Sequence, residues 1–227
     1  MSAESEVSFF FDSDALIQVL LTIPDRVLPT LQSQYGVTSF IMNEVEVEVR
    51  SNRKFGTIVK PPLEKALKTK ALRLLGSADL EALSASSTSP VYLPDIREIG
   101  RDYALLVGPG EAFSHAAGLL LSSPVVSNDL NAIRTLEANG KTLPPTILRS
   151  HDLFGFLRAE AQVDTHTAGR LLKILKSNRE WVPRCFEHAS FEDGSRHFNC
   201  RLASSLSVAA SSSHWSEKFY LKRLVEE

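Results

Sequence analysis

Cysteine is nearly missing from these 227 residues: Cys185 and Cys200 are the only two. Two thiols cannot build a disulfide scaffold, so the fold must come from a hydrophobic core, and the compartment to expect is the reducing cytoplasm. Long apolar runs are missing too. No stretch approaches the roughly 20 residues that a membrane-spanning helix needs, and Asp12 and Asp14 interrupt the first apolar run. The N-terminus carries Glu4 and Glu6 where a signal peptide would carry basic residues, so no leader is expected. An excess of charge is also lacking. The 25 Lys and Arg against 27 Asp and Glu leave a net charge of −2, which points to no polyanion partner. No internal repeat is present. What remains is globular material, 43% hydrophobic and 23% charged, enough for one large domain or for one domain with an appendage.

That material alternates between strand-like and helix-like segments. Ser8–Phe11 reads as a buried strand, Asp12 follows at once, and Ala15–Leu21 continues as an apolar helix. Ile23–Gln34 reads as a second helix and Val37–Ile41 as a second strand. Asn43–Arg50, NEVEVEVR, alternates with the period of a strand. Wound as a helix it would set Ile41, Val45 and Val49 on one side and Glu44 with Glu48 on another, but the pattern alone favours the strand. Pro61–Leu75 reads as a helix opened by proline and closed by Gly76. Val91–Leu93 reads as a short strand and Ile96–Leu106 as a helix. Gly108-Pro109-Gly110 opens a helix over Glu111–Leu121. Pro124–Ser127 and Thr146–Leu148 are further strands, and Leu130–Ala138, Asp152–Ala161 and Thr165–Lys176 are helices. This succession predicts a three-layer α/β/α domain over residues 1–178, built on a central, mostly parallel sheet. Residues 179–227 are expected to form a small appendage, a hairpin and a short helix.

Two of the strands end on acids. In a parallel sheet all carboxyl ends share one edge, where open α/β folds bind ligands. Asp12 and Asp129 fall on that edge, and so does Glu111, in the first turn of a helix that feeds the next strand. Each acid has a plainer use, since Asp caps helices and an acid in the first turn meets the helix dipole. Three carboxylates at one edge nevertheless repel unless a cation sits among them, and oxygen-only ligands suit Mg2+ or Mn2+. Ser127 and Asn128, just before Asp129, are candidates to contact phosphate or to hold Asp129. His115 would share a helix face with Glu111.

Four segments resemble the PIN-domain nucleases. They are FFFDSDAL, SFIMNEVEVEV, GPGEAFSHAAGLLL and PVVSNDLNAIRTLEANG, in the family's order between Val7 and Gly140. The later HDLFGFLRAEAQVDTHTAGRLLKILK resembles the helices that close that fold. The resemblance implies a metal-dependent endoribonuclease that hydrolyses RNA, or less often structured DNA. It implies Asp12, Glu44, Glu111 and Asp129 around Mg2+ or Mn2+, with Asp12, Asp129 and Glu111 as ligands, and it puts Glu44 on a helix. Many such proteins are toxins, so an antitoxin and a homodimer are the protein partners it suggests. Two departures stand out. The chain is longer than the compact members, and Asp14 occupies part of a usually uncharged polar pair.

Two other readings compete. FFDSD also resembles the first motif of haloacid-dehalogenase-type phosphatases, but Ala15-Leu16 stand where those enzymes want a small Gly-Thr-like turn. A PIN-like module that binds without cutting is the other reading, and the presence of all four acids weighs against it. A cationic segment would suit an RNA substrate: from Arg50 to Arg73, eight basic residues, Lys65, Lys68 and Lys70 among them, face Glu64 alone. A solvated helix face would look the same. In the appendage, Cys185-x-x-His188 and His197-x-x-Cys200 imitate a zinc quartet. A hairpin turning at Asp193-Gly194 would instead put the cysteines on one face and the histidines on the other. Zinc is therefore not expected.

Overall fold

The computed structural model describes residues 7–84, 90–159 and 164–177. The expected hairpin, the cysteine–histidine pattern and the remainder of the appendage lie outside the described residues. Strand β1 (Val7–Phe11) leads into helices α1 (Ser13–Thr22) and α2 (Pro24–Tyr35). Strand β2 (Val37–Ile41) leads into α3 (Asn43–Ser51) and α4 (Gly56–Lys68). After β3 (Arg73–Leu74) come α5 (Ser77–Ser84), α6 (Leu93–Tyr103) and α7 (Pro109–Leu120). They are followed by β4 (Val125–Val126), α8 (Leu130–Ala138), β5 (Ile147–Leu148), α9 (Ser150–Ala159) and α10 (Thr165–Ser177).

The strands form one five-stranded sheet in the order β3-β2-β1-β4-β5, with every pair parallel. The protein is thus α/β, as its alternating segments predict. β1 holds the centre, and Phe9, Phe10 and Phe11 are all fully buried, as a strand covered on both faces requires. Each such side chain contributes roughly 1.5–3 kcal/mol by leaving water. Phe10 also stacks on Phe40 of the neighbouring strand, ring centroids 5.7 Å apart. The chain winds outward from β1 to β2 and β3, then returns to the other side of β1 for β4 and β5. A reversal of this kind opens a crevice at the carboxyl ends of the two central strands. Here those strands are β1 and β4.

Several elements differ from the sequence pattern, each for a physical reason. Asn43–Ser51 is a helix, not the strand its alternation suggests. Val45 and Val49, four residues apart, are fully buried, whereas Val47 is 56% exposed, a division that a strand face would not make. Helix α4 begins at Gly56, before the prolines rather than at them, and ends at Lys68. Its buried stripe, Val59, Leu63 and Ala66, runs straight past Pro61 and Pro62. The prolines remove bonds to the carbonyls of Thr57 and Ile58, two exposed residues whose carbonyls water can satisfy. Lys70 then adopts φ 59°, which turns the chain out of the helix and into β3, where a continued helix is expected. Leu93 opens α6 instead of closing a strand, and Asp95 anchors that start by accepting from the Tyr92 N–H at 3.0 Å. Helix α5 has no counterpart among the predicted elements. Among the described residues no helix is long and apolar enough to cross a membrane.

Candidate functional site

Asp12 is set by the backbone before its side chain is considered. Its N–H donates to the Val126 carbonyl at 3.0 Å, which laces the end of β1 to β4. The Ser127 N–H donates in turn to the Leu148 carbonyl at 2.8 Å, which laces β4 to β5. Asp12 Oδ1 caps α1 by accepting from the Ala15 N–H at 2.7 Å. Its Oδ2 is buried and meets no hydrogen-bond partner among the described residues. Burial above all, and then the charge of Glu111, hold this carboxyl well above the ordinary aspartate range. The buried Ser127 hydroxyl sits close enough to ease that charge, yet it forms no hydrogen bond of good geometry.

Glu111 comes to the same place from α7. Burial pushes its carboxyl up to about 7; its own backbone N–H opposes the shift, and Glu48, Asp14 and Asp129 add to it. The Ser114 hydroxyl donates to the Phe11 carbonyl at 3.0 Å and pins the following turn of α7 against the end of β1. Glu48 reaches over from α3, where its Oε1 accepts from the Gly110 N–H at 3.0 Å. The two glycines of GPGE lie close against these acids. A Cβ at Gly108 would lie 2.4 Å from Glu111 Oε2, and one at Gly110 would lie 2.3 Å from Glu48 Oε2. Asp129, half-buried after β4, caps α8 with Oδ1 on the N–H groups of Asn131 and Ala132, at 2.8 and 3.0 Å. The starts of α1, α7 and α8 therefore meet at the crevice, and their dipoles favour negative charge there.

Of the four acids expected from the sequence, the structure sets Glu111 within reach of the charges of both Asp12 and Asp129. Glu44 is half-buried in the first turn of α3 and is not among the charges acting on Glu111. Glu48, one turn further along, is among them and reaches the start of α7. The signal was available: wound as a helix, NEVEVEVR puts Glu44 and Glu48 on one face. Exposed Asp14 joins as a neighbouring charge on both Asp12 and Glu111. Asn128 is occupied structurally, accepting from the Ser150 N–H at 3.1 Å while its amide donates to Ser150 Oγ at 3.1 Å. The Ser150 hydroxyl donates onward to Gln18 Oε1 at 2.6 Å, so this buried chain joins β4, α9 and α1.

The cationic triplet lies elsewhere. Lys70 is three residues before β3, and its carbonyl accepts from Gln32 near the end of α2, where the chain is about to enter β2. Lys65 pairs with Asp25 at 2.7 Å, at the start of α2. Lys65, Lys68 and Lys70 therefore sit toward the amino edge of the sheet, away from the acids.

A divalent cation fits this donor set chemically. All the donors are carboxylate oxygens, burial and neighbouring acids raise the pKa of Asp12 and Glu111, and one buried oxygen of Asp12 is left over. Among the described residues, no three His, Cys, Asp or Glu side chains stand close enough to enclose an ion as they are. Water would complete the coordination, as Mg2+ commonly requires. Comparison with protein-family models, with curated proteins and with solved structures returns no match to this chain.

Proposed function

We propose that this chain is a metal-dependent nuclease that hydrolyses phosphodiester bonds, with RNA as the first substrate to test. The observation that carries the reading is Asp12 Oδ2, a carboxylate oxygen buried without a partner at the point where the sheet reverses its winding. A helix cap needs one oxygen and no charge, so Ser or Asn would serve α1 without the cost of burying a carboxylate. The charges of Glu111 and Asp14 raise that cost, and a cation removes it.

Asp12 and Asp129 are the direct ligands in this proposal, each keeping one oxygen on a helix start and offering the other. Glu111 and Glu48 act through bound water. With its pKa near 7, Glu111 is the group best matched to accepting the proton of an attacking water. Ser127, beside Asp12, eases its charge. When bound, Mg2+ or Mn2+ supplies a lowered water pKa and neutralises charge on the scissile phosphate. The choice of RNA rests on the four segments that resemble PIN-domain nucleases. Against a phosphatase stands Ala15-Leu16, already helical, where such enzymes want a small turn after the second acid.

The test is cleavage of end-labelled single-stranded RNA with Mn2+, beside DNA and a small aryl phosphate. Wild-type protein should cut RNA and leave the aryl phosphate intact. Asp12→Asn should lose at least about 100-fold in rate, the upper end of what loss of an outer-shell partner costs. Equal cleavage by wild type and Asp12→Asn would refute the reading.

A further inference from the structure

His115 stands one turn after Glu111 on α7, the spacing that puts two side chains on one helix face. It is fully buried, and neither Nδ1 nor Nε2 meets a hydrogen-bond partner among the described residues. Its neighbour Ser114 ties this turn to the end of β1. A buried imidazole with two idle nitrogens is an unfavourable filling for a core, where an apolar side chain of similar size would do better. Burial lowers its pKa to about 4 against the opposing charge of Asp129, so the ring is neutral near pH 7, with one donor and one acceptor.

We propose that His115 is a positioning residue of the acidic crevice, one that hydrogen-bonds through a buried water to Asp129 and holds this carboxylate toward the cation. The inference rests on the metal-site reading above. The geometry allows for it: Asp129 Oδ1 is committed to the start of α8, which leaves Oδ2 to be oriented by something else. The ring is near enough to feel the Asp129 charge. A trapped water needs two or more polar partners, and the two ring nitrogens and the Asp129 carboxylate provide donors and acceptors of the right kind. A neutral imidazole suits the task, because a charged one would compete with the cation it helps to place.

The experiment is a thermal-shift titration with MnCl2 on wild type, His115→Leu, His115→Met and His115→Gln, with RNA cleavage measured in parallel. The two apolar variants differ in shape, so one that folds poorly does not end the test. Without metal, the better-tolerated apolar variant should melt at or above the wild-type temperature, since an unpaired polar ring has gone. It should require about tenfold more Mn2+ for half-maximal stabilisation, the usual effect of losing an outer-shell hydrogen bond. His115→Gln, which keeps a donor and an acceptor, should recover most of that loss. A wild type that responds to Mn2+ beside apolar variants that respond equally would overturn this inference alone. A wild type indifferent to Mn2+ would overturn the metal site and this inference together.

Discussion

Glu111 gives up its proton with difficulty, because burial strips water from its carboxylate and Glu48, Asp14 and Asp129 stand nearby. The folded protein therefore binds more protons than the unfolded chain between the ordinary value of 4.5 and about 7. Stability without metal should fall as pH rises through that window, and Asp12, raised in the same sense, steepens the fall. Melting temperatures of metal-free protein across the window check this. Glu111→Gln should give a clearly shallower slope, and an unchanged slope would mean that this carboxyl ionises normally. Asp12→Asn removes a buried charge while keeping a capping side chain, so metal-free protein should be as stable as wild type or more so. A drop of more than about 1 kcal/mol in a urea melt would instead make Asp12 mainly a cap. Asp12 and Asp129 were readable in the sequence because both end a strand. Glu48 was hidden because its position counts only once Asn43–Ser51 is known to be helical.

At the scale of elements, the start of α7 depends on having no side chain at Gly110. Gly110→Ala would push a Cβ to 2.3 Å from Glu48 Oε2 and 3.3 Å from Ser13 Oγ. Glu48 should swing off the Gly110 N–H, and because its carboxylate is the far end of a flexible side chain the cost should be only that of the lost hydrogen bond, about 0.5–1.5 kcal/mol. Chemical denaturation measures that cost, and a loss of more than about 3 kcal/mol would show that Glu48 is held too firmly to move aside. α3 also shows where periodicity misleads. Valine alternation suggests a strand, and β-branched residues are indifferent helix formers, but two valines four apart fit the core and decide the matter. α4 teaches the reverse: proline marks a helix start only when no buried stripe precedes it, and Phe55, Gly56 and Val59 do precede Pro61. The lengths of β3, β4 and β5 were equally unreadable, since a two-residue strand leaves no periodic trace.

For the whole molecule, the sheet order separates two charges that the sequence could not locate. The acids gather at the carboxyl edge, and Lys65, Lys68 and Lys70 are carried toward the amino edge. Replacing these three lysines with glutamine should leave turnover of a short RNA within about twofold, because exposed charge at the opposite edge of the sheet is screened by physiological salt. A tenfold loss on such a substrate would place the lysines in the catalytic groove. The alternation of segments was enough to predict an α/β fold with a parallel sheet. The reversal between β1 and β4 was not readable, because strand order depends on pairing across the chain. That reversal is what makes three separate acids into one crevice, and metal binding there is the central claim. Isothermal titration of MnCl2 into wild type and Asp12→Asn tests it most directly. The account predicts a saturable heat for wild type and at least about tenfold weaker binding for Asp12→Asn. No saturable heat in wild type, or the same affinity in both proteins, would contradict it.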